Sequence, residues 1–105
     1  MVHILDLEAE RCPHAMSLVR TALQRAINGG FHGQVQIRTI ERTMPDKLKL
    51  FISAMDSNLS ITSTDIGELD PKRRLALLET GEINETQLAQ LQNETLITVE
   101  VVQKV

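Results

Sequence analysis

The residues best suited to chemistry form one short stretch, Arg11-Cys12-Pro13-His14, at a predicted strand-to-helix junction. Pro13 fits the first turn of a helix, where a missing N–H group costs nothing. Cys12 would then lie at or beside the N-cap, where unpaired N–H groups and the positive end of the helix dipole favour a thiolate over a thiol. Arg11 would add positive charge nearby. The stretch predicts a reactive cysteine; the alternative is a small, buried, inert side chain.

Other patterns that could do chemistry are weaker. His14 follows Cys12 by two residues, a spacing that turns the two side chains about 200° apart on a helix, so we expect a solvated histidine rather than a Cys-His pair. One cysteine and three scattered histidines cannot build a Cys-rich zinc site, and we expect no metal. The run Lys72-Arg73-Arg74 is expected to form a solvated helix face.

Composition excludes several classes of function. The chain has 105 residues and a net charge of −3, which fits a single domain over residues 1–105 and gives no general attraction to nucleic acid. Its two aromatic residues cannot form a stacking platform for bases. No apolar run is long enough to cross a membrane, and residues 1–11 lack the apolar region of a secretory signal. We therefore expect a cytoplasmic protein that binds neither nucleic acid nor membranes directly.

The first half of the chain reads as strand, helix, strand, helix. Residues 2–7 predict a strand, and an apolar stripe after Pro13 predicts a helix that stops at Asn28-Gly29-Gly30. Residues 34–40 alternate as a half-buried strand does. Thr43 and Asp46 resemble a capping box, with Pro45 in the first turn of a second helix. The apolar stripe of that helix is Leu48, Phe51, Ile52 and Met55.

The second half adds two strands with a helical pair between them. Residues 59–66 predict a third strand and 95–102 the last one. Asp70-Pro71 predicts the start of a helix that ends near Gly81, and Asn84 can cap a short further helix with Gln87 at its third position. The order β-α-β-α-β-(α-α)-β predicts an α+β fold, a two-layer α/β sandwich with a mixed four-stranded sheet. Residues 70–92 look like a helical insertion into that pattern.

The stretch around Cys12 resembles a known family signature. Leu5-Asp6-Leu7-Glu8-Ala9-Glu10-Arg11-Cys12-Pro13-His14-Ala15 is similar to the L-D-x-x-G-L-x-C-P-x-P motif of the TusA/SirA-like sulfur carriers. The matches are Leu5, Asp6, Cys12 and Pro13, while Ala9, Glu10 and Ala15 stand where the family has glycine, an apolar residue and its second proline. The predicted element order also fits that family's small sandwich, over roughly residues 2–66 and the final strand.

This resemblance implies a sulfurtransferase of the carrier type. Cys12 would take sulfur as a persulfide from a donor such as a cysteine desulfurase and pass it to an acceptor protein, with Asp6, Arg11 and Pro13 as supporting motif residues. Exchange between sulfur atoms needs no cofactor. A second interpretation stays open: a diverged, non-catalytic protein-interaction or regulatory module that uses the helices of residues 70–92 as its contact surface.

Overall fold

The structure, a computed structural model, describes residues 2–54 and 59–102. Its elements confirm the predicted order and the α+β fold class. They are β1 (Val2–Asp6), α1 (His14–Asn28), β2 (Gly33–Thr39), α2 (Met44–Ala54), β3 (Leu59–Glu68), α3 (Pro71–Glu79), α4 (Glu85–Ala89) and β4 (Asn93–Val101). Of these described helices, none is long and apolar enough to cross a membrane.

The four strands form one mixed sheet in the order β1-β2-β4-β3. β1 runs parallel to β2, so the carboxyl ends of the two strands lie side by side, where Asp6 is opposite Arg38. β4 pairs antiparallel with both β2 and β3, and a bulge between Ile61 and Ser63 shifts the register of β3. The shared end of β1 and β2 matters because the segments that follow both strands meet there.

Helices α1 and α2 contribute to the main hydrophobic core. The predicted stripe of α1 buries Met16, Val19 and Leu23, and α2 buries Leu48. Met55, the last predicted apolar position of the second helix, lies outside the described residues. The sheet contributes alternate side chains of β2 and β4 to the same core, as expected of strands covered on one face: Val35, Ile37, Ile97, Val99 and Val101.

Residues 70–92, called here the α3–α4 segment, build a second hydrophobic cluster with the end of the sheet. Leu77, Ile83 and Leu88 of this segment pack with Ala9, which precedes Cys12, and with Ile40, which follows β2. The two caps predicted for this segment are confirmed. Asp70 accepts a hydrogen bond from the backbone N–H of Arg73, and Asn84 forms a capping box with Gln87.

Three local predictions are wrong. Helix α1 begins at His14 with Pro13 as its N-cap, because the carbonyl of Pro13 already accepts the N–H of Ser17. The predicted capping box of Thr43 and Asp46 does not form: the Thr43 hydroxyl donates to Glu41 Oε1 at 3.2 Å, and within the described residues no capping hydrogen bond joins Thr43 to Asp46.

The third correction concerns the basic run of α3, which is not a solvated face. Arg73 and Arg74 are half-buried, and only Lys72 is exposed. Arg74 donates hydrogen bonds to the carbonyls of Leu69, Leu88 and Leu91, at 2.7 to 3.3 Å. Because backbone carbonyls at the end of a helix need donors, Arg74 fastens α3 to the end of α4.

Candidate functional site

Cys12 lies in the loop of residues 7–13, called here the Cys loop, directly before the N-cap of α1. Its side chain is half-buried and packs against the edge of the main core, and its sulfur is a free thiol. The position is therefore intermediate between the two expectations: the thiol is neither fully solvated nor enclosed. Its backbone is fixed from both sides, by Ala15, whose N–H donates to Arg11, and by Glu41.

Glu41 is the partner of the Cys loop that the sequence interpretation missed. Its carboxylate accepts the Cys12 backbone N–H at 3.2 Å and Arg11 Nε at 3.0 Å, in addition to the Thr43 hydroxyl. Burial raises the pKa of Glu41, but the hydrogen bonds from Cys12 and Arg11 outweigh it and the pKa is lowered. The available signal was topological: parallel strands end side by side, so an acidic residue just after β2 reaches the loop after β1.

Asp6 fastens the other end of the Cys loop. Its carboxylate receives both terminal nitrogens of Arg73, at 2.6 and 2.9 Å, while Arg73 Nε donates to Glu94 at 2.9 Å. Burial raises the pKa of Asp6, but the hydrogen bonds from Arg73 and from the Glu8 N–H outweigh it and lower the pKa. The same pairing with Asp6 raises the pKa of Arg73. This two-point contact between guanidinium and carboxylate is the geometry that fixes orientation best.

The motif residues are held by two different partners. Arg11 and Cys12 share Glu41, Pro13 starts α1, and Asp6 is held by Arg73 at the far end of the loop. His14 is exposed, with Nε2 3.5 Å from Glu10 Oε2, as expected for a solvated histidine.

Two clefts contact the Cys loop and share no lining residue. The first, about 580 Å³, is lined by the loop, α1 and the turn after α3. We call it the acidic cleft because four carboxylates line it, those of Asp6, Glu8, Glu10 and Glu82, against one cation, Arg25.

The second cleft, about 670 Å³, lies between Arg11, the start of α2 and the segment from α4 to the start of β4. We call it the basic cleft because Arg11 and Arg42 line it and, among the residues that the structure describes, no carboxylate does. Its remaining polar lining consists of amide side chains and one hydroxyl: Gln87, Gln90, Gln92, Asn93 and Thr95.

One carboxylate of the acidic cleft, that of Glu82, is disfavoured in its charged form by its neighbours. The pKa of Glu82 is raised, first because its carboxyl group is close enough to Glu10 to share a hydrogen bond, and further by the charges of Glu10 and Glu8. His14 acts in the opposite direction, since a protonated imidazole lowers that pKa. The cluster does not form a metal site. Within residues 2–54 and 59–102, no group of three His, Cys, Asp or Glu side chains is arranged to hold an ion.

The chain matches no protein-family model, no curated protein and no solved structure.

Proposed function

We propose that this protein is a sulfur carrier in which Cys12 takes a sulfur atom from a donor persulfide and hands it to an acceptor protein. The observation that carries the proposal is the position of the single cysteine, half-buried in a braced loop directly before the N-cap of a 15-residue helix. The likeness of residues 5–15 to the TusA/SirA-like motif supports the same function, as does the order of the elements.

The start of α1 suits an anionic sulfur species. The first turn of this helix carries no acidic residue. The positive end of the helix dipole stabilises a thiolate or a persulfide anion placed next to it. The carboxylate of Glu41, which accepts the Cys12 N–H, opposes this effect, and Arg11 pairs with it at 3.0 Å. The ion pair therefore holds the loop while it limits the net negative charge beside the sulfur.

The loop that carries Cys12 is held at several points, which fixes where the sulfur is presented. Leu7 donates its N–H to the carbonyl of Arg38, Cys12 donates to Glu41, and Asp6 is bound by Arg73. A nucleophile on a braced loop loses less entropy when it reacts than one on a loose loop. These contacts support a role for Cys12 in transfer between proteins, where the sulfur must meet a partner's sulfur in line.

The transfer step needs no cofactor and no change in overall oxidation state. The Cys12 thiolate attacks the outer sulfur of the donor's persulfide, a new S–S bond forms at Cys12, and the donor's own S–S bond breaks. The donor leaves as a thiolate and takes up the proton that Cys12 lost. The acceptor's thiolate then repeats the same attack on the persulfide of Cys12.

The test is intact mass after incubation with a cysteine desulfurase and free cysteine. We expect a gain of one sulfur atom that a reductant removes and that Cys12→Ser lacks. A matched control moves the thiol: the double variant Cys12→Ser, Ser17→Cys has one cysteine on the exposed side of the same helix. That variant is expected to gain less sulfur than the natural chain.

Two results would contradict the proposal. One is no gain of mass at Cys12 while the desulfurase loads another carrier in the same buffer. The other is equal loading of Cys12 and of the relocated thiol, which would mean that the loop confers nothing on its cysteine. The first result would favour the interpretation of the fold as a non-catalytic interaction module.

A further inference from the structure

The basic cleft is lined mostly by exposed polar residues, as a peptide-binding site is, and not by buried core residues. Three of its lining residues, Arg42, Gln90 and Gln92, are exposed to solvent. Ile66 contributes an apolar side chain that is 71 % exposed, beside the half-buried Leu91. These two side chains give the cleft an apolar part between its polar groups, which an apolar side chain of a bound segment can cover.

The charge of the cleft contrasts with that of the whole chain. The protein carries a net charge of −3, yet two arginines and no described carboxylate line this cleft. Arg11 Nε donates to Glu41, and about half of the Arg11 side chain is exposed to solvent. Arg42 has no hydrogen-bond or ion-pair partner among the residues that the structure describes. The cleft therefore offers at least one guanidinium whose donors are bound by no residue of 2–54 or 59–102, and guanidinium groups bind carboxylates preferentially.

The remaining polar groups fit a polypeptide backbone. The side-chain amides of Gln90, Gln92 and Asn93 line the cleft, and each can both donate and accept a hydrogen bond. No described residue occupies these three amides. Donors paired with acceptors match the alternating N–H and C=O groups of an extended chain better than they match a single compact anion.

The position of β3 gives an extended chain a path out of the cleft. β3 is an edge strand of the sheet, and its residues from 62 to 68 are exposed. Ile66 belongs to this strand and lines the cleft at the same time. A strand edge carries unpaired backbone groups that accept an added strand.

From these observations we infer that the basic cleft binds an extended segment of a partner protein that carries acidic side chains. Carboxylates of the segment pair with Arg42 and Arg11, and an apolar side chain of the segment covers Ile66. The backbone of the segment bonds to the side-chain amides of Gln90, Gln92 and Asn93. Because Arg11 directly precedes Cys12, this partner would dock beside the thiol. That the partner is a donor or acceptor of sulfur rests on the proposed function. That the basic cleft binds an acidic segment does not rest on it.

The test uses peptides displayed from a random dodecapeptide library, selected on the immobilised full chain. We expect the enriched peptides to contain an excess of Asp and Glu. The most enriched peptide should perturb the backbone NMR signals of Arg42 and of residues 90–95. Its version with Gln in place of each Glu should bind at least about fivefold more weakly, the effect of losing one or two solvent-exposed charge pairs.

A matched pair of charge reversals assigns the binding to one cleft. Arg42→Glu in the basic cleft should weaken the same peptide at least about fivefold. Arg25→Glu, the same change in the acidic cleft, should leave its affinity unchanged. Citrate at equal concentration of carboxylate should not compete, because a compact anion lacks the backbone groups that the amides pair with.

Three outcomes would overturn the inference: no enrichment of acidic peptides, binders indifferent to Arg42→Glu, or citrate that displaces the peptide at equal carboxylate concentration. Cys12→Ser separates this inference from the sulfur-carrier proposal, since the variant should bind the peptide as the natural chain does. If Cys12 gains no sulfur and the peptide still binds at the basic cleft, the sulfur-carrier proposal fails and the docking site stands.

Discussion

Glu41, beside the basic cleft, accepts three hydrogen bonds, whereas Glu82 in the acidic cleft faces two other carboxylates. The same side chain type therefore has its pKa lowered on one side of the Cys loop and raised on the other. The difference is not burial alone, since burial raises the pKa of both. It lies in the partners, N–H and guanidinium groups for Glu41 and carboxylates for Glu82.

This contrast distinguishes carboxylates that hold the Cys loop in place from carboxylates that repel one another. Carboxylates that accept donors hold the Cys loop in place, as Glu41 and Asp6 do, and their charge is stabilised by folding. Carboxylates that crowd one another, as Glu82 does with Glu8 and Glu10, contribute little to holding the loop and make the fold sensitive to pH and salt. Changes to the two kinds of carboxylate should therefore differ in both size and sign.

The largest effect is expected from Arg73→Ala, which removes the brace of Asp6 and leaves two carboxylates without their partner. Asp6 and Glu94 are both partly shielded from solvent, so we expect a loss of about 2 kcal/mol in the free energy of unfolding at pH 7. Urea unfolding measures it. Lys72→Ala, at the exposed neighbouring position, is the control and should change stability by less than about 0.5 kcal/mol.

The pH dependence of that loss gives the comparison a second test. The pKa of Asp6 is lowered from 3.8 by folding, so its contribution to stability is complete above that value and is lost as the pH falls through the folded pKa. The natural chain and Arg73→Ala should therefore converge in stability at acid pH. A difference that stays constant from pH 7 into the acid range would show that Arg73 stabilises by packing alone.

A smaller loss is expected from Glu41→Ala. The change leaves the Cys12 N–H and Arg11 Nε without their acceptor, and we expect the free energy of unfolding to fall by about 1 kcal/mol. Since folding lowers the pKa of Glu41 below 4.5, this loss too should shrink as the pH falls below that value. Glu79→Ala, at an exposed position on α3, is the matched control, and equal unfolding midpoints for the two variants would show that Glu41 is not a brace.

The smallest effect, with the opposite sign, is expected from Glu82→Gln. The raised pKa of Glu82 means that its ionisation opposes folding, so the penalty is absent below 4.5 and grows as the pH rises through the folded pKa. Glu82→Gln should therefore raise the thermal midpoint slightly at pH 7 and leave it unchanged in acid. The gain should disappear at high salt, because exposed charges are screened. A loss of stability at pH 7 would mean that Glu82 makes a favourable contact.

The fold was predictable from the sequence where its signals are local. The apolar stripe of α1, the Asp70-Pro71 start of α3 and the Asn84–Gln87 capping box each lie within a few residues, and all three are confirmed. The start of α1 was not predicted correctly, because a proline is compatible with both the N-cap and the first turn. Only the hydrogen bonds of the following residues distinguish the two.

The candidate site was predictable only in part, since its braces are long-range. Asp6 and Arg73 are 67 residues apart, and Cys12 and Glu41 are 29 apart. Nothing in the composition of Lys72-Arg73-Arg74 separates an exposed lysine from two arginines with fixed partners. The sheet order decides which side chains meet. Because β1 and β2 end together, Asp6 and Glu41 come to the two ends of one loop.

The central claim, that Cys12 carries transferable sulfur, is tested most directly by cyanolysis of the loaded protein. The chain is incubated with a cysteine desulfurase and cysteine, separated from both, and treated with cyanide, which takes the outer sulfur of a persulfide as thiocyanate and leaves the Cys12 thiolate. Sulfur transfer predicts one thiocyanate per chain and none from Cys12→Ser. A folded natural chain that releases no thiocyanate, beside a carrier that the same desulfurase loads, would contradict it.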